Sequence, residues 1–232
     1  AAFADLLGKK VDFIFLPQIM QVPVPKVPTF SRLCVFVQGE PYYLKSTFRD
    51  DIEGTPVAVV SPVLKMENGY EQAEEELVDV AMRMGVAAND SRRAFRAACE
   101  HQRAFESDVR ELGRSALAFL DRHPERLGVV LFGRPYNALA SEANMGVPHK
   151  VASRGTVVWS YDMLEADHYA VDKSLFWATA QRIMKAARFV RDHQQANVVP
   201  AAGTGRPGSD ECGGIVDHRR VERVPPAAVV AH

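Results

Sequence analysis

The chain has 232 residues, of which 47% are hydrophobic, so it can bury a sizeable core in one or two domains and is not disordered throughout. Lys and Arg total 28 against 29 Asp and Glu, which excludes a strong field that would draw the chain to nucleic acid or to an anionic membrane. Because no apolar run approaches the roughly 20 residues that span a bilayer and the amino-terminal residues lack the order of a signal peptide, we predict a cytoplasmic protein without a membrane partner.

The predicted elements alternate between strands and helices of crossover length. Short apolar or valine-rich runs predict buried parallel strands, and amphipathic stretches with capping or proline signals predict helices. Prolines at 23, 25 and 28 interrupt regular structure ahead of Cys34. The predicted elements are a helix end at 3–9, strand 11–17, a helix from Pro41 to about Phe48, strand 55–63, helices 71–84 and 89–120, strand 128–132, helix 147–154, strand 156–160 and helix 173–193.

This order predicts an α/β fold: three layers, αβα, around a mostly parallel sheet, arranged as flavodoxin-like subdomains. We expect residues 1–62 to form the end of a first α/β subdomain with a cysteine loop. Residues 63–196 are expected to form a helical connector and a second α/β subdomain. From 197 onward Pro, Gly, Arg, Asp and Val alternate without period, so 197–232 is predicted to be an irregular, disordered tail.

Polar side chains follow the strand predicted at 128–132 directly. The chain runs from Phe132 into Gly133-Arg134-Pro135-Tyr136-Asn137, which places a guanidinium, a phenol and an amide at the carboxyl end of a strand. In open α/β sheets that edge is where ligands bind. The alternative also stands: Arg134 pairs with an acid such as Glu142, and Tyr136 caps the sheet.

The cysteines do not form a disulfide pattern. Cys34, Cys99 and Cys212 are odd in number and scattered, which fits a reducing compartment, so any special role is metal binding or redox chemistry. Cys99 falls inside a predicted helix, where a small apolar side chain packs. Cys34 lies on a loop or at a loop edge, from which a thiolate can reach a metal, and an ordinary half-buried thiol is the open alternative.

Five strings follow one another along the chain: Val11-Asp12-Phe13-Ile14-Phe15-Leu16-Pro17; Cys34 with Val37-Gln38-Gly39 and Pro41-Tyr42; Gly133-Arg134-Pro135-Tyr136-Asn137; Asn144-Met145-Gly146-Val147-Pro148; and Trp177-Ala178-Thr179-Ala180-Gln181-Arg182-Ile183 with Ala186-Ala187-Arg188. In order and spacing, over roughly residues 3–195, they resemble the activase-related branch of the 2-hydroxyacyl-CoA dehydratase family. Long members of that branch fuse ATPase domains, which resemble the dehydratase activator, to a region like the cluster-bearing dehydratase subunits. This chain resembles part of the latter region, as a fragment would.

The resemblance implies iron–sulfur chemistry. Cysteines of such a system hold a [4Fe-4S] cluster, and an ATP-driven partner supplies the electron that reduces an acyl-CoA thioester to a radical. Cys34 matches the first-loop cysteine of the family and is the cluster ligand that the resemblance implies, with ATP entering only through an ATPase activator domain or chain. The candidate contacts for the acyl-CoA substrate, its phosphates and pantetheine, are Arg134, Tyr136, Asn137, Asn144 and His149.

Two cysteines of the family pattern have no counterpart here. One stands just upstream of the first helix in the family, and the other lies in an Asn-Phe-x-Cys-Gly string after the last helix. At that second place this chain has the 197–232 tail, which a fragment or a shift of reading frame near Asn197 explains. Cys212 matches nothing in the family, so further ligands are expected from elsewhere, for example across a dimer interface.

Two functional hypotheses follow. The first is an iron–sulfur component or fragment of an ATP-dependent 2-hydroxyacyl-CoA dehydratase or activase-like system, a lyase component if it is active. The second is a non-catalytic α/β remnant or binding module for an acyl-CoA or a nucleotide, without a cluster. For His149 two interpretations also stay open: an imidazole near a helix start can polarise a carbonyl or bind a metal, or it is simply solvated or bonded to the backbone.

Overall fold

The computed structural model describes residues 2–9, 11–27, 31–193 and 198–202, and it has a mixed α/β fold, as predicted. All pairings between its named strands are parallel. The helices are α1 (Ala2–Gly8), α2 (Val35–Thr47), α3 (Arg49–Glu53), α4 (Glu74–Arg83), α5 (Ala88–Arg122), α6 (Pro135–Ala138), α7 (Ser141–Asn144), α8 (Val147–Ala152) and α9 (Ala178–Asp192). The strands are β1 (Phe13–Phe15), β2 (Gln18–Gln21), β3 (Ala58–Val60), β4 (Val63–Lys65), β5 (Gly128–Phe132), β6 (Val157–Ser160) and β7 (Val198–Ala202).

The chain divides into two compact units. Unit 1 contains Ala1–Ala104 with Asp172–Ala178, and unit 2 contains Phe105–Val171 with Thr179–His232. The predicted subdomain boundary between residues 62 and 63 stays a prediction.

Unit 1 contains two short parallel strand pairs that continue one another. β1 pairs with β3, and β2 pairs with β4. Pro17 separates the first pair from the second, yet the amides on either side of it still bond across, Leu16 N to Val60 O and Gln18 N to Pro62 O, each at 2.8 Å. One face of β1 is covered by a core of Phe3, Leu7, Ile14 and Val57, which fits the buried strand that its apolar sequence predicts.

Helix α2 begins six residues earlier than predicted. The sequence was expected to start a helix at Pro41, because proline favours the first helical position, but α2 begins at Val35 and Pro41 lies buried within it. Proline lacks the N–H that would bond to the carbonyl of residue 37, and Val35, Val37 and Gly39 are weak helix formers. Packing of the helix against β2 therefore overrides local propensity at this position.

Unit 2 contains a three-stranded parallel sheet in the order β6-β5-β7. β5 occupies the centre, and its Val130 is fully buried at 0% exposure. Leu120, Trp159 and Phe189 pack in the same core. The predicted strand 128–132 is confirmed, and the predicted strand 156–160 is found one residue shorter at 157–160.

Two elements near the end of the chain differ from the sequence prediction. Val198–Ala202 forms β7, parallel to β5 with Val129 opposite Val199, where the tail was expected to be irregular. The valines in this segment favour a strand, whereas the glycines and the proline that follow it favour irregular structure. Helix α9 begins at Ala178 instead of residue 173, after an Asp172 turn in which the carboxylate accepts from Ser174. The rest of the predicted tail, 203–232, including Cys212, lies outside the described residues.

Candidate functional site

The carboxyl end of β5 is a topological switch point. β5 connects forward to β6 on one side, and β7 lies on its other side. In open parallel sheets a crevice forms where neighbouring connections leave in opposite directions, and ligands bind there. The strand ends at Phe132, Arg134 is extended (φ −66°, ψ 144°), and Pro135 begins α6 in the first-turn position that proline favours.

Arg134 and Tyr136 are brought together at this edge. Both side chains are exposed, with Tyr136 at 57%, and Arg134 Nη1 donates a hydrogen bond to Tyr136 Oη at 3.0 Å. The phenol therefore points to solvent and does not cap the sheet, in contrast to the alternative in which Tyr136 caps it. Asn137 is half-buried in α6, and its backbone N–H donates to the Arg134 carbonyl at 2.8 Å. This edge presents a guanidinium and a hydroxyl to solvent side by side.

Asn144 joins two backbone segments. Its Nδ2 donates to the Ala138 carbonyl at 3.2 Å, and its Oδ1 accepts from the Gly146 N–H at 2.8 Å. The two residues that follow it, Met145 and Gly146, are left-handed, with φ of 51° and 70°. A role for Asn144 as a substrate contact stays a prediction.

The remaining predicted contacts lie on α7 and α8. His149 is exposed on α8, and its carbonyl accepts from Ser153 N–H at 2.9 Å. On α7, the Glu142 carboxylate accepts hydrogen bonds from its own backbone amide and from Ser141, which lowers the pKa of that carboxyl group. Pairing of Glu142 with Arg134 stays a prediction.

The sequence analysis missed a second polar group, at the carboxyl end of β6. Tyr161 is buried beside β5, with its ring stacked on Phe132 at a centroid distance of 6.3 Å. Burial and the neighbouring Asp162 raise the pKa of the Tyr161 phenol, while Arg182 of α9 lowers it. Asp162 also accepts a hydrogen bond from the Ser160 hydroxyl. The signal was present: Ser-Tyr-Asp follows a predicted strand, just as Gly-Arg-Pro-Tyr-Asn does.

Cys34 occupies a defined position in unit 1. It is half-buried and directly precedes α2 as its N-cap residue. The segment before it is fixed on two sides: Leu33 N donates to Met20 O at 3.0 Å, and Arg32 N donates to Phe176 O at 2.8 Å. The thiol thus stands at the edge of a loop, as predicted, and on an ordered backbone.

The described residues do not by themselves fit an iron–sulfur cluster. Among residues 2–9, 11–27, 31–193 and 198–202, no group of three or more His, Cys, Asp or Glu side chains is placed to hold a metal ion. A [4Fe-4S] cluster normally takes four thiolates. Cys99 does not supply a second thiolate beside Cys34, because it is buried in α5. Burial, and then the nearby Glu74 and Glu100, raise the pKa of its thiol.

In the described part of the chain, every helix is too short or too polar to cross a lipid bilayer.

No curated protein and no solved structure is significantly similar to the chain. A family model does match: residues 1–164 fit the CoA enzyme activase uncharacterised domain (DUF2229). That segment runs from α1 through β6 and includes Cys34, Arg134, Tyr136 and Asn144. With this match over well more than half of its length, the chain belongs to the CoA enzyme activase uncharacterised domain family.

Proposed function

We propose that this chain binds an acyl-CoA thioester at the carboxyl end of β5, as one component of an ATP-dependent activase-like system of the 2-hydroxyacyl-CoA dehydratase type. The observation that carries the proposal is the paired guanidinium and phenol of Arg134 and Tyr136 at the switch point of a parallel sheet. Membership of a CoA enzyme activase family supports CoA as the ligand.

CoA is a chemically suitable ligand for this edge. It carries a diphosphate and a 3′-phosphate, and a planar guanidinium presents two parallel N–H donors to a phosphate. Tyr136 Oη lies 3.0 Å from the Arg134 guanidinium, so one phosphate can contact both groups. Asn137 and His149 follow on α6 and α8, where they are candidate contacts for the pantetheine amides and the thioester.

Calorimetric titration with CoA and acetyl-CoA tests the proposal. Arg134→Ala is expected to weaken binding about tenfold to a hundredfold, the loss typical of a charged hydrogen bond. Arg134→Lys should recover part of it, because the charge remains but the fork is lost. Arg154→Ala is the matched control: Arg154 is also exposed, but it precedes β6 and so belongs to the opposite edge of the same sheet. Equal affinities in Arg134→Ala and Arg154→Ala would contradict the proposal.

A second candidate function is favoured by the ordered position of Cys34. We propose that Cys34 supplies one thiolate to a [4Fe-4S] cluster whose other ligands come from outside the described residues, in a partner chain or across a dimer. The family resemblance implies an ATPase activator domain or chain as the partner of such a component. The half-buried thiol on a backbone held from two sides supports this role.

Iron and acid-labile sulfide, measured after anaerobic reconstitution, test the second candidate. Cys34→Ala should lose the iron that the unsubstituted chain binds, whereas Cys99→Ala should retain it because Cys99 packs inside α5. Equal iron in the two variants would remove Cys34 from consideration. CoA binding without any specific iron would instead identify the chain as a cluster-free binding module.

A further inference from the structure

We infer that Asn144 is a positioning residue that holds the Arg134–Tyr136 pair in place for CoA, and that it does not itself contact the ligand. This inference rests on the proposed function and names one further residue of the same site. It follows from the two hydrogen bonds of the Asn144 amide, both of which end on backbone groups of the loop after β5.

A continuous series of hydrogen bonds leads from Asn144 to Arg134. The Arg134 carbonyl accepts from the Ala138 N–H at 2.9 Å. The carbonyl of the same Ala138 accepts from Asn144 Nδ2 at 3.2 Å. Ala138 is buried, whereas Arg134 and Tyr136 on the turn before it are exposed. The turn that carries the two exposed groups is therefore anchored at its far end by a side chain six residues further along the chain.

The other side of the amide fixes the anchor itself. Asn144 Oδ1 accepts from the N–H of residue 146, an Asx turn that favours the left-handed backbone of the two residues after Asn144. Met145 has a side chain and a positive φ of 51°, a left-handed conformation that is strained without such support. Asparagine suits this place because one amide group supplies both the donor and the acceptor.

An amide with two bonds still has one N–H and one lone pair, so a direct contact with CoA is the competing explanation. The two explanations differ in how Asn144 depends on Arg134. If Asn144 acts by holding Arg134, its removal has no further effect once the guanidinium is gone. If Asn144 contacts CoA itself, its removal weakens binding by the same factor in either background.

A double-mutant cycle on CoA affinity, measured by calorimetry, separates them. Asn144→Ala is expected to weaken CoA binding about fivefold, the net effect of one hydrogen bond, and to change it less than twofold in the Arg134→Ala background. Asn144→Ser removes only the bond to Ala138, because a serine hydroxyl can still form the turn but is too short to reach that carbonyl. Asn144→Ser should therefore lose as much CoA affinity as Asn144→Ala, while its free energy of unfolding falls less.

Asn68→Ala is the matched control. Asn68 also precedes a glycine with positive φ, Gly69 at 138°, but it belongs to unit 1, so CoA affinity should not change. Equal losses in both backgrounds, or no loss in Asn144→Ala and Asn144→Ser, would overturn the positioning role and leave the proposed function standing. No loss in Arg134→Ala alone would overturn the proposed function, and this inference with it.

Discussion

The glycine at position 113 makes a sharp prediction about stability. Gly113 lies inside α5, where alanine would normally be preferred. A Cβ at this position would stand 1.9 Å from the carbonyl oxygen and 2.8 Å from the carbonyl carbon of Met163. These are backbone atoms of the short helical turn that follows β6, and they cannot rotate away. We therefore expect Gly113→Ala to destabilise unit 2.

The magnitude follows from two opposing contributions. Replacing a helical glycine with alanine is worth about 0.5–1 kcal/mol in favour of folding. Forcing an extra methyl into a tight contact costs about 1–3 kcal/mol, and a contact against rigid backbone belongs at the upper end of that range. The net expectation is a loss of about 2 kcal/mol in the free energy of unfolding.

Gly39 in α2 is the matched control, with the opposite expected sign. A Cβ there would meet Tyr43 Cε2 at 2.8 Å, but the Tyr43 side chain is 60% exposed and its ring can swing into solvent. The helix-propensity gain then dominates. Gly39→Ala is expected to stabilise the chain by about 0.5–1 kcal/mol.

Urea unfolding followed by tryptophan fluorescence measures both effects. The chain has two tryptophans, Trp159 in the core of unit 2 and Trp177 in unit 1. A Trp177→Phe background makes Trp159 the reporter for unit 2, and far-ultraviolet circular dichroism follows the helices of both units. If Gly113→Ala were as stable as the unsubstituted chain, the close approach of α5 to Met163 would be refuted.

Two further predictions concern the packing of α5. Leu120→Ala removes a side chain that is 2% exposed and should cost about 3 kcal/mol, whereas Leu112→Ala on the same helix, at 61% exposure, should change stability by less than about 0.5 kcal/mol in the same urea assay. Arg92 donates two hydrogen bonds to Glu75 and so lowers the pKa of that carboxyl group. The stabilisation is present above the unfolded pKa, near 4.3 for a typical Glu, and is lost as the pH falls through the lower folded pKa. Arg92→Ala should therefore lower Tm slightly at pH 7 and not at pH 2; an equal decrease at both would contradict the pairing.

The fold class and the central elements could be predicted from the sequence because their signals are local. The apolar run 128–132 is continuous and short, and the structure has β5 at the same residues. The long helix predicted at 89–120 is α5, Ala88–Arg122. In both segments hydrophobic pattern and propensity agree, which is the condition under which local prediction succeeds.

The start of α2 could not be predicted because local and tertiary preferences disagree there. A proline and two valines argue against a helix from residue 35, and only burial of Pro41 and packing on β2 support it. β7 was not predicted because its local signal is weak. Its strand character rests on a few residues next to a composition typical of disorder, and the stabilising partner, β5, is distant in sequence.

The candidate site was predictable as a position and not as a set of contacts. Strand-end logic located Arg134 and Tyr136, because the carboxyl ends of parallel strands share one edge. Which groups touch depends on backbone angles that the sequence does not display. The hydrogen bond from Gly146 N–H to Asn144 Oδ1 closes a turn whose residues 145 and 146 are left-handed, and the stacking of Tyr161 on Phe132 follows from the β5–β6 register.

The two proposed functions rest on different units, and this makes them separable. Cys34 belongs to unit 1, Arg134 belongs to unit 2, and the two main cores have no residue in common. Loss of a thiolate therefore need not disturb the turn after β5, and loss of the guanidinium need not disturb the start of α2. A redox component needs both a cluster ligand at Cys34 and a CoA contact at Arg134, whereas a binding module needs only the CoA contact. CoA affinity and iron content, measured on the same Cys34→Ala and Arg134→Ala variants, therefore decide between a redox component and a binding module.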